Sequence, residues 1–134
     1  MSHALQPSPL YWGNRQVSSS DAIRYLSPGS DSNTASLTPT PVRVLSPRRA
    51  RRISVKHGTP RGNGNTIRYR LLINGAPAVI DLFVDLACDG SEDETVLAGT
   101  IDVPAGATLD LEVSKPLGSI MSSPLDVSVT VELI

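Results

Sequence analysis

Apolar and polar residues alternate with a period of two through most of the chain beyond residue 50. In residues 66–86, TIRYRLLINGAPAVIDLFVDL, the side chains of Ile67, Tyr69, Leu71 and Ile73 fall on one face, and Arg68 and Arg70 on the other. Past Asn74-Gly75, Ile80, Leu82, Val84 and Leu86 alternate with Asp81, Phe83 and Asp85. Such a period predicts strands, because successive strand side chains point to opposite faces. Asn-Gly between two such runs predicts a hairpin, and Ala76-Pro77 leaves room for a loop longer than two residues. Arg68 and Arg70 should then face Asp81 and Asp85 in a charged ladder on the outer side of that hairpin.

The same pattern extends to neighbouring segments. Ile53, Val55 and His57 share a face against Ser54 and Lys56. Residues 96–103 form a strand, and residues 104–107, PAGA, a turn. Leu109, Leu111 and Val113 should point inward, and Asp110 and Glu112 outward. The last run is the cleanest, with Val127, Val129, Val131 and Leu133 against Ser128, Thr130 and Glu132. Residues 59–65 (TPRGNGN), 89–94 (DGSEDE) and 115–125 read as loops. Two shorter runs, residues 10–17 and 22–26, and a third at 42–45 complete the set. No segment has a helical period. Seven or eight short strands separated by turns predict an all-β fold, an antiparallel β-sandwich that is jelly-roll-like, in preference to a closed barrel.

Residues 1–47 differ in composition, holding six prolines and ten serines. Tyr11, Trp12, Ile23, Tyr25 and Leu26 are spaced apolar anchors within that segment. It reads as an extended N-terminal arm, 1–47, preceding a sandwich domain, 48–134. The arm either packs on its own domain or reaches a neighbouring subunit.

At 134 residues the chain is one domain long and can bury about two-thirds of its unfolded surface. No apolar run is long enough for a membrane helix, and the first 14 residues lack the basic start and apolar core of a signal peptide. The one cysteine, Cys88, permits no internal disulfide and suits synthesis in a reducing cytoplasm. Net charge is −1, but the charges are segregated: residues 1–75 carry +9 and residues 76–134 carry −10. Opposite charges paired across a sheet account for this, and so does a bipolar surface that orders association with copies of the chain or with a charged partner.

Candidate chemistry is sparse. The two histidines, His3 and His57, lie in no nucleophile–base motif, and there is no phosphate-loop, nucleophile-elbow or HExxH pattern, so no enzyme activity and no cofactor are expected. Asp85, Asp89, Glu92, Asp93 and Glu94 could ligate calcium, but their spacing is not that of an EF-hand and a solvated acidic loop is expected, with no metal. The loudest charge feature is Arg48-Arg49-Ala50-Arg51-Arg52. It suits a solvated strand start or an acidic protein surface better than nucleic acid, since few aromatics adjoin it for base stacking. Tyr11, Trp12, Arg15, Tyr25, Arg48, Arg49, Arg51 and Arg52 are therefore the candidate interface residues.

The succession YWGN (11–14), IRYLSPGS (23–30), RRISVKHGTPRGNGNTIRYRLLINGAPAVI (51–80) and VPAGATLDLEVSKP (103–116) resembles small all-β virion proteins of tailed bacteriophages, those that decorate or cement the head or form short fibres. The resemblance covers the chain from about residue 11 and implies a sandwich, often trimeric, that binds the major capsid protein or another virion protein and is located in the virion. It transfers no functional residue set. The alternative class is a carbohydrate- or receptor-binding module of a phage fibre or tail.

Overall fold

The computed structural model describes residues 8–17, 23–29, 31–58, 66–78, 81–88, 91–115 and 124–134. These residues form eleven strands: β1 Ser8–Gln16, β2 Arg24–Tyr25, β3 Asp31–Thr34, β4 Val42–Arg43, β5 Arg48–Gly58, β6 Thr66–Ile73, β7 Ala76–Pro77, β8 Phe83–Ala87, β9 Ser91–Val103, β10 Thr108–Ser114 and β11 Leu125–Leu133. One sheet runs β3-β1-β11-β5-β9. In the other, β10 and β6 are the central pair, with β2 and β4 against β10 and with β7 and β8 against β6. Taking β1, β4, β5, β6, β8, β9, β10 and β11 as the eight principal strands, the first sheet reads first-eighth-third-sixth and the second reads second-seventh-fourth-fifth. That interleaving is the jelly-roll winding, two Greek keys folded face to face. All pairs are antiparallel except β1 with β3, which is parallel.

The alternation sets the core. Ile53, Val55, Val129 and Val131 from the first sheet meet Ile67, Tyr69, Leu71, Leu109, Leu111 and Val113 from the second, and all are essentially buried. Asn74 and Gly75 both take positive φ, 54° and 80°, as a two-residue type I′ hairpin turn requires. The turn is therefore short, with Ile73 facing Ala76. The departure comes later in the hairpin. Leu72 faces Pro77, but Arg70, two residues back, faces Phe83, six residues on, so the return strand carries four extra residues. Four is even, so the strand rejoins in phase and Leu82, Val84 and Leu86 remain buried as the alternation predicts. Ile80 and the loop at residues 59–65 lie outside the described residues, as does most of 115–125.

Residues 1–47 are set apart by composition, yet their described part lies along the chain's own sandwich. β1 pairs with β11 from Ser8↔Leu133 to Gln16↔Leu125, and Trp12, Val17 and Leu26 are at most 2% exposed. Gly13 explains the YWGN sequence locally. A Cβ there would meet the Val127 carbonyl at 3.0 Å, and its N–H is held by the Ser27 carbonyl at 3.0 Å. Asn14 anchors the same loop through both ends of its amide, donating to Ser27 Oγ and accepting from Ser27 N–H.

Two further expectations are corrected. The acidic segment read as a loop opens β9: Glu92, Asp93 and Glu94 run opposite His57, Lys56 and Val55. β9 is an edge strand of its sheet and leaves Asp93 and Glu94 exposed, so the stretch needs no apolar alternation there. Asp110, expected outward and solvated, is 5% exposed, and its Oδ1 has no hydrogen-bond partner among the described residues. It sits beside Leu72 on the outer side of its sheet, and Leu72 is itself buried.

Candidate interaction surface

The two outer faces are built differently. On the second sheet the expected charged ladder is present. Arg68 makes a bidentate pair with Asp85 at 2.7 and 2.8 Å, and Arg70 reaches Asp81 at 3.0 Å and Glu112 at 3.6 Å. The Phe83 ring lies between the two arginines, with the Arg68 guanidinium 4.5 Å from its centre. The hydrogen bonds that Arg68 donates to Asp85 push the Arg68 ionisation further up, against the opposing pull of burial. Arg68, Arg70, Asp81, Asp85 and Glu112 thus satisfy one another within the chain, and Asp110 is the exception on this face.

On the first sheet the arginines cluster at one end. Arg51 and Arg52 both turn to Glu132 of β11, Arg51 through a close contact and Arg52 at 3.8 Å. A register shift between Ala50 and Arg52 sets one β5 residue, Arg51, against three of β9. Against β11 the same residue is a one-residue bulge, since Ala50 faces Leu133 and Arg52 faces Glu132, and this breaks the alternation so that the two arginines share one carboxylate. Arg49 meets Asp102 at 3.8 Å with both side chains largely exposed, a geometry that stabilises little. Arg48 and Arg49 line an open groove of about 740 Å³ with Pro47, Asp102, Pro104, Ala105 and Ile134. The sequence-predicted interface residues are therefore partly brought together. Arg48, Arg49, Arg51 and Arg52 form one basic end. Tyr11, 57% exposed, lies on the same sheet, with its partner Thr130 one row from Glu132. Arg15 is exposed near the far end of that face, beside Leu125 and Asp126. Tyr25 belongs to the second sheet, paired with Glu112. Trp12 is 1% exposed and packs the core, offering no surface to a partner.

His57, on β5, is buried against β6 and β8. Its Nε2 lies 2.9 Å from the Ala87 carbonyl, which can only accept, so Nε2 carries the proton. Nδ1 then accepts from the Tyr69 hydroxyl at 2.7 Å. Burial pushes the Tyr69 ionisation well up, which keeps that donor protonated. The pair is a satisfied core bridge between the sheets. Among the described residues, no three histidine, cysteine, aspartate or glutamate side chains gather as a metal site. Asp85 is engaged by Arg68, and Asp89 lies outside the described residues.

What sequence reasoning missed on this surface is a band of hydroxyls. Tyr11, Thr130, Ser54 and Thr95 stand directly opposite one another on β1, β11, β5 and β9. The outward positions of each strand were legible, but the register that aligns them was not.

No known family and no curated protein matches the chain. Among solved structures it is similar to a chain in the structure of infectious bursal disease virus, Gx strain, at 14% identity and a TM-score of 0.45, over 95% of this chain and 32% of that one. The chain thus spans about a third of that neighbour's length.

Proposed function

We propose that this chain is a structural component of a virus particle. In this reading it decorates or cements the capsid of a tailed bacteriophage, as a trimer, through contacts with the major capsid protein or another virion protein. The observation that carries the reading is the jelly-roll winding, a fold that recurs in viral capsid and lectin domains. Because fold alone does not assign function, the surface matters as much. The basic end of the first sheet, with its groove and its loosely held Arg49, is suited to an acidic protein surface. The paired charges of the second sheet are not.

The test is to purify particles of the source virus on a density gradient and label them with antibody against this chain, alongside light scattering of the isolated protein. The reading expects regular surface labelling and a solution mass three times the 14.2 kDa chain. A monomer absent from the particles would overturn it.

A further inference from the structure

The outer face of the first sheet carries a shallow trough that starts at Arg52 and Glu132, on the border of the basic end, and runs away from it along β5 and β11. Two depressions, of about 430 and 320 Å³, meet at Ser54 and Thr130. The first is bounded by Lys56, Asp93 and Thr95, and the second by Pro9, Arg52 and Glu132. Together they make one channel along β5 and β11. Its floor is small and hydroxylated: Ser54, Ser128 and Thr130. Ser54 Oγ and Thr95 Oγ1 are 2.8 Å apart, which fixes one hydroxyl and leaves further donor and acceptor capacity on both. At each end the charges oppose each other, Arg52 with Glu132 and Lys56 across from Asp93. Tyr11 stands beside Thr130 on the neighbouring strand with more than half its surface open.

These features select a ligand chemistry. A polyanion would meet Glu132, Asp93 and Glu94 as well as the basic groups, and an apolar chain would bury hydroxyls without partners, which is unfavourable. A neutral, extended polyhydroxylated chain meets neither difficulty. Its hydroxyls can exchange hydrogen bonds with serine and threonine, donate to carboxylates and accept from the arginine and lysine, while the Tyr11 ring covers a sugar face with its hydroxyl still wet. We infer that this trough is a binding site for a neutral oligosaccharide chain, seated across Ser54 and Thr130 with Tyr11 as its stacking platform. The inference stands apart from the virion reading and would hold for the isolated chain.

The probes are maltohexaose, cellohexaose and the N-acetylglucosamine hexamer, with a heparin hexasaccharide as the anionic control, each titrated into ¹⁵N-labelled full-length protein. The expected result is saturable shifts for at least one neutral probe, centred on Tyr11, Ser54, Thr95 and Thr130. Tyr11→Ala and Thr130→Val should each weaken binding about fivefold or more, the scale of one lost neutral contact, with unchanged melting temperature. Shifts confined to Arg48–Arg52 with heparin alone, shifts elsewhere on the molecule, or none with any neutral probe would each overturn it. Antibody labelling of particles reads out independently of this titration, so failure of one proposal leaves the other standing.

Discussion

The two sheets share a core but present opposite kinds of outer surface. The second sheet spends its charges inwardly: Arg68, Arg70, Asp81, Asp85 and Glu112 are mutually paired around Phe83. The first sheet leaves an exposed tyrosine, a row of hydroxyls and four arginines that share too few carboxylates. The charges on a face therefore do not by themselves set its capacity to bind. A guanidinium already held bidentately has little left for a partner, whereas one held at 3.8 Å in solvent has most of its donors free.

The largest expected effects come from the layer both faces rest on. Trp12→Ala should lower stability by about 3–5 kcal/mol, the usual figure for removing a buried aromatic, read by denaturant unfolding. No change would mean that β1 is a detachable arm and that the first sheet ends at β11. Leu71→Ala or Leu82→Ala should lower stability by about 2–5 kcal/mol; a melting curve like wild type would show that the strand after the four extra residues is out of phase.

The faces themselves should then separate. Arg68→Ala breaks a half-buried bidentate pair and should lower stability by about 1 kcal/mol, whereas Arg49→Ala should fall within about 0.5 kcal/mol of wild type. Equal losses at both positions would erase the distinction drawn between the faces. The smallest effect concerns Asp110. Burial raises its carboxyl ionisation, so the folded state binds its proton more tightly than the unfolded state does. Its stabilising contribution is present below the unfolded value, about 3.9, and is lost as pH rises through the folded value. Asp110→Asn should therefore melt slightly above wild type near neutral pH, with the gap closing on acidification. A gap that widens in acid would show that the carboxylate is favoured in the fold.

Legibility from sequence followed the same division. β6, β8, β10 and β11 each bury one face and solvate the other, so alternation reveals them, and the Arg68–Asp85 ladder followed from the hairpin turn. β9 escaped in part because it opens with Glu92, Asp93 and Glu94 at a sheet edge, where pairing with β5 and not apolar alternation makes the strand. Trp12 was legible as an anchor but not as core, because Asn14, its inward neighbour two residues on, is polar and buried through hydrogen bonds to Ser27. Asp110 broke the rule from the other side, a carboxylate at an outward position that is nonetheless covered. The basic end was visible in the arginine run. The groove and the hydroxyl band were not, since both depend on which strands become neighbours in the winding.

The contrast between the faces, and the virion reading built on it, is tested most directly by site-specific photo-cross-linking within assembled particles. A photoreactive residue is placed either at Ala105, in the groove beside Arg48 and Arg49, or at Phe83, on the charge-paired face. The account predicts a covalent adduct with another virion protein from position 105 and none from position 83. An adduct from position 83 alone, or from neither position in particles that contain the chain, would contradict it.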